Sequence, residues 1–159
     1  MNFWKHFKAK SCSIGLEALD KELVLAEIVA RMIEGDAIDP KFERDALAAL
    51  IARESQASTG IGMNVAIPHV QIAGLEQAVT TLCVHPGGVK WGAIDGEPVH
   101  LFFAVLRPDR ATAAHDPAKH LEMMRWIARL GRSPDFRRFA IAAKTKSELV
   151  DLLKEMAHV

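Results

Sequence analysis

Hydrophobic residues recur along this chain at helical and at strand spacing, and the two kinds of stretch alternate. Leu25, Ile28, Val29 and Met32 form an apolar stripe at three- and four-residue intervals, opened by Asp20 as N-cap and closed at Gly35. A second helix is predicted from Asp39 as cap and Pro40 at its first position, with Ala46, Leu47, Leu50 and Ile51 inward and an end near Arg53-Glu54. Asp116-Pro117 opens a third, its inner face read as Leu121, Met124, Ile127 and Ala128. Ser133-Pro134 opens a fourth containing Phe136, Phe139 and Ile141, and Thr145 to Glu148 is a capping box before Leu149, Leu152 and Leu153.

Between these lie strand patterns. Ile14 to Leu19 reads as a short strand, and a β-branched run ending at Ile67 is stopped by Pro68. Val79 to Val84 is a strand, followed by a turn at Pro86-Gly87-Gly88, then Val89-Lys90-Trp91, then a turn at Asp95-Gly96. Val99 to Leu106 is continuously apolar except at His100, the pattern of an interior strand covered on both faces. Alternating short strands and helices predict an α/β layer fold.

Composition narrows the class. Half of the 159 residues are hydrophobic, enough for one core and too few for two comfortable domains. The expected division is an N-terminal tail, residues 1–12, and one domain, residues 13–159. The tail sets Phe3, Trp4 and Phe7 among Lys5, His6, Lys8 and Lys10; it could dock on a partner or on lipid, and folding back on its own domain or mobility is the reading favoured. Basic and acidic residues number 20 each, so no general field favours nucleic acid or an anionic membrane. Two cysteines, Cys12 and Cys83, make no disulfide framework, and no apolar run suggests export or membrane insertion. A cytoplasmic protein is expected.

The candidate chemistry sits between Arg53 and His69. A loop containing Thr59, Gly60 and Gly62 follows Arg53-Glu54, and the strand after it runs into Ile67-Pro68-His69. Proline fixes its own φ and holds the residue before it extended, so His69 follows a stiff path. An imidazole is substantially neutral and nucleophilic near neutral pH, and phosphoryl transfer to nitrogen is the reaction that fits. On these residues alone, the commoner reading is that Pro68-His69 merely ends a strand and that Arg53 is a solvated cation at a helix C-terminus.

The segment resembles the active-site signature of the type-2 enzyme IIA domains of the sugar phosphotransferase system, the fructose/mannitol and nitrogen-regulatory IIA family. An Arg-Glu pair, a Ser-Thr-Gly-Ile-Gly loop and an Ala-Ile-Pro-His ending are all present, and the likeness runs from about Ile14 to the C-terminus. It implies a single-domain mixed β-sheet flanked by helices. It also implies that His69 carries a phosphoryl group, that Arg53 lies beside it, and that His120 faces it from the start of a helix and hydrogen-bonds the phosphoryl group. Thr59 and the Gly60 and Gly62 amides are further candidates for holding phosphate oxygens. Two positions depart from the family: Asn64, where glycine is usual, and Val70, where a small or polar residue is usual.

The donor implied is the phosphohistidine of a small histidine-containing phosphocarrier protein; the acceptor is a transporter-associated IIB domain or, for a nitrogen-type IIA, a regulatory target. Neither ATP nor another cofactor is called for. A competing reading is a non-transferring interaction module on the same fold, and an unrelated hydrolase finds no completed serine or cysteine nucleophile motif. His115, Asp116 and His120 complete no familiar zinc spacing, so no metal is expected.

Overall fold

A computed structural model of the chain describes residues 2–159. The helices start where local chemistry starts them. Asp20 accepts from the amides of Glu22 and Leu23 to open α1 (Lys21–Glu34), while Asp116, Ser133 and Thr145 cap α3 (Pro117–Arg132), α4 (Pro134–Ala142) and α5 (Lys146–Glu155). Asp39-Pro40 behaves differently. Asp39 caps a 3-10 turn, Pro40–Phe42, and α2 (Glu43–Gln56) begins after it.

Among the described residues the sheet has five strands: β1 (Gly60–Gly62), β2 (Val65–Ala66), β3 (His69–Ile72), β4 (Val79–Val89) and β5 (Val99–Pro108). The continuous apolar run forms the central strand. β4 pairs antiparallel with one edge of β5, while β2 and β3 pair in parallel with the other, so the sheet is mixed. Val65 stands opposite Leu101 and His69 opposite Val105, an offset of 36 in both cases (101 − 65 and 105 − 69). β2 and β3 are therefore one interrupted strand in unbroken register, and Pro68, which has no N–H to give, occupies the interruption.

Two apolar cores lie on opposite faces of the sheet. On one, Ala66, Ile72, Phe102, Ala104 and Leu106 meet α1 and α2. On the other, Val65, Ile67, Leu101, Phe103 and Val105 meet α3, α4 and α5. The N-terminal segment forms two short 3-10 turns, Phe3–His6 and Ala9–Ser11, and buries Phe7 against the rings of Phe103 and Trp126.

Three local expectations are corrected. Ile14 to Leu19 is not a strand. Ser13 and Leu16 bond to β4 through Leu82 and Val84, but the next amides, Glu17 and Ala18, turn to the carboxylate of Glu27 and end the ladder. Pro86-Gly87-Gly88 is not a turn between strands but a bulge inside β4, where five steps from Val84 to Val89 face two on β5, with Gly88 at φ +75. The inner face of α3 is Met123, Trp126, Ile127 and Leu130, while Leu121 is half exposed. The buried stripe starts two residues later, at Met123.

Candidate functional site

Construction of the site begins with a tight hairpin. Gly62 pairs with Val65, leaving Met63 and Asn64 as a two-residue connection with φ +58 and +68. Two positive φ values in succession define a type I′ turn, whose twist suits the strands it joins. The Asp95 carboxylate accepts from the Met63 amide at 2.8 Å, and the Asn64 side-chain amide donates to Pro98 O at 2.8 Å. Glu54 secures the other end of the loop. Its carboxylate is buried and accepts from the Thr59 amide and hydroxyl and from Lys21 Nζ at 2.7 Å, while Trp91 Nε1 donates to the Thr59 hydroxyl at 3.2 Å.

The chain then enters Ile67-Pro68-His69 held on three sides. The Ile67 amide donates to Thr59 O, and Pro68 O accepts from the Val105 amide at 2.9 Å. His69 Nδ1 lies 2.9 Å from Ile67 O. A carbonyl can only accept, so Nδ1 carries the hydrogen and Nε2 is left with the free lone pair. The ring is exposed at the head of β3. By register it belongs to the face that carries Val65, Ile67 and Val105, the face covered by α3.

That face brings His120 toward His69. The fold places His120 in the first turn of α3, half-buried, with its ring 5.1 Å from that of His115 in an edge-on arrangement. Burial, and then the charges of His115, Arg107, His69 and His6, hold the His120 imidazole down at about 4. It is therefore neutral at physiological pH.

Arg53 is placed at the end of α2, which packs along β3. Its Nη1 donates to Ala57 O at 2.7 Å, closing the helix terminus, and among the described residues no hydrogen bond joins it to His69. Two of the loop candidates make internal hydrogen bonds here: the Thr59 hydroxyl donates to Glu54, and the Gly60 amide donates to Ser58 Oγ at 3.1 Å. Gly62 sits at φ +86 to open the hairpin turn.

Sequence reasoning overlooked Arg107. It stands opposite Gln71 across the β3–β5 ladder, one alternation beyond His69 and Val105, so it shares their face. With the Gln71 amide turned so that its oxygen meets the guanidinium, Arg107 donates to it at 2.7 and 3.2 Å. The missing signal was β3 itself. Once Val70 and Ile72 are recognised as the inward pair of a strand, Gln71 and its partner follow. Val70 packs into the α1–α2 core, away from the histidine.

Residues 5–156 match the family model described as phosphoenolpyruvate-dependent sugar phosphotransferase system, EIIA 2. The chain belongs to that family. A nitrogen regulatory protein from Pseudomonas aeruginosa is 32% identical over 133 residues, covering 83% of this chain and 79% of that one. The fructose-specific EIIABC component from Bacillus subtilis is 27% identical over 143 residues; these cover 89% of this chain and 21% of that longer protein. Among solved structures, nitrogen regulatory protein IIA-Ntr from Neisseria meningitidis superposes with a TM-score of 0.78 at 25% identity, covering 94% of this chain and 97% of the other. As an EIIA 2 protein the chain is a phosphotransfer component by family, and none of its described helices is long and apolar enough to cross a membrane.

Proposed function

We propose that His69 is the phosphoryl acceptor, loaded on Nε2 from the phosphohistidine of a small phosphocarrier protein. The observation that supports this is the bond from His69 Nδ1 to Ile67 O, which presents Nε2 as a nucleophile in the open. In the transfer, the donor's N–P bond breaks as the new N–P bond to Nε2 forms. The proton stays on Nδ1, donated to Ile67 O throughout, so no general base has to remove a proton from His69. The donor imidazole departs with the electron pair of the broken bond.

The remaining work is positioning and charge. A transferring phosphoryl group spreads negative charge over three equatorial oxygens, and fixed donors stabilise it most when they are aligned beforehand. Arg107 is locked by Gln71 on the His69 face, His120 supplies a neutral imidazole, and Arg53 retains donors beyond the one given to Ala57, since a guanidinium has five N–H groups. Glu54 and Thr59 act through the backbone that delivers His69. Half-exposed Leu121, next to His120, offers an apolar rim for an incoming protein. From His69 the group passes to a IIB domain, such as the relative named EIIABC carries in one chain, or reports pathway state to a regulatory target as its nitrogen-regulatory relatives suggest.

Intact-mass analysis after incubation with phosphoenolpyruvate, enzyme I and the phosphocarrier protein tests the proposal. One acid-labile phosphoryl group is expected, absent from folded His69→Ala; label persisting in that variant overturns the assignment. Arg53→Ala, Arg107→Ala and His120→Ala should each slow loading at least about tenfold in a rapid-quench time course, below the full value of a preorganised donor because the partner protein brings its own cations. A folded wild-type protein that takes no label would favour the non-transferring interaction module.

A further inference from the structure

On the far side of His120 lies a cleft of about 680 Å³ that none of His69, Gln71, Arg107 or Arg53 lines. Its walls are the N-terminal segment, the start of β4, the loop 112–116 and the first turn of α3. Lys5, Lys8 and Lys119 contribute three ammonium groups, none in an ion pair among the described residues. The two carboxylates in the wall are already engaged: Asp36 pairs with Lys10 at 3.7 Å, and Asp116 accepts from the Ala118 amide at 2.9 Å. The cleft also meets the N-terminal end of a 16-residue helix, where backbone amides favour an anion.

Two buried polar nitrogens stand beside this cleft. His115 is 5% exposed, and its Nε2 has no hydrogen-bond partner among the described residues; the same holds for Nε2 of the adjacent His120. Leaving a buried polar nitrogen unpaired is costly, and here two such atoms border one cleft. Phe3, Val79 and Met123 add apolar surface to the lining. The volume is many times what a bare phosphate fills.

We propose that this cleft binds a small phosphate monoester. The phosphate is held by Lys8, Lys119 and the His115 imidazole at the head of α3, and the carbon body lies against Phe3, Val79 and Met123. A tetrahedral phosphate brings three oxygens and close to two negative charges to these donors, against two oxygens and one charge on a single carboxylate. Because His120 forms part of the wall, occupancy is felt at a residue that also faces the His69 side. The binding assignment itself stands independently of the phosphotransfer reading.

The test is an NMR titration of the unphosphorylated full chain, following backbone amides and histidine ring signals, with glycerol 3-phosphate, inorganic phosphate and succinate as separate probes. Glycerol 3-phosphate is expected to shift the His115 and His120 rings and the Lys119 amide saturably, and more tightly than the other two. His69→Ala should bind it unchanged. The Lys8→Ala/Lys119→Ala double variant, whose amide spectrum reports its fold, should bind at least about tenfold more weakly, the order expected on losing charge-assisted bonds. His115→Phe, which keeps the ring's bulk, should weaken binding by a similar factor. An absent saturable shift, unchanged affinity in the double variant, loss of binding in His69→Ala, or equal binding of succinate or inorganic phosphate would each overturn the assignment.

Discussion

At residue 64 the backbone sits at φ +68, a conformation in which a β-branched side chain is strained and asparagine is tolerated. Asn64→Val is therefore expected to cost on the order of 1–2 kcal/mol in chemical denaturation. Asn64→Gly should be nearly neutral, since relief of the left-handed strain offsets the exposed bond to Pro98 O. Equal stability of the two variants would refute the backbone account. His120 gives a second prediction at this scale. Its imidazole lies at about 4 in the fold and at 6.5 in the free chain, so between those values the unfolded state binds a proton that the folded state does not. Stability must then fall as pH drops through that window, and is unaffected by this group above it. Urea denaturation at neutral pH and at about pH 5 should show a shallower loss in His120→Phe than in wild type.

At the scale of elements, Gly35 fixes where the N-terminal segment crosses the end of α1. A Cβ there would run into Lys10 O and the Ser11 Cα, both backbone atoms that cannot swing aside. Gly35→Ala is expected to cost about 1–3 kcal/mol and to loosen the segment, which hydrogen exchange at the Ser11 and Cys12 amides would register. Helices were the readable part of this fold, because an Asp, Ser or Thr cap and a stripe of Leu and Ile act within a few residues of one another. β1, β2 and β3 were harder, being two to four residues long, with β2 and β3 defined by partners on β5 36 positions away and β1 by its pairing with β2. The site divided along the same line. His69 and His120 were visible through a local motif and a helix start, whereas Arg107 depends on register across the ladder and the commitment of Thr59 depends on Glu54 and Trp91. Distant pairing also accounts for two assignments that fell short, the Ile14–Leu19 strand, ended by Glu27, and the β4 bulge.

For the whole molecule, the central position of β5 means that one strand anchors both cores and both halves of the site. β4 on one side ties in residues 13–16, Phe7 and Cys12 extend the α3–α5 core, and β2 and β3 on the other side present the histidine. Cys83, pushed up to about 12 by burial, and Cys12 next to it are inert spectators within this arrangement. The shared offset of 36 along β2 and β3 has a consequence for how such a gene can change. A substitution at Ile67 alters packing locally, but one extra codon between Ala66 and His69 moves the histidine by one alternation, from the α3 side of the sheet to the side of α1 and α2. A single inserted alanine after Ile67 should thus silence phosphoryl loading even where circular dichroism still reports a folded chain. A codon inserted after Gln77, outside the ladder, should leave loading intact. Length, more than identity, is what this stretch has to inherit.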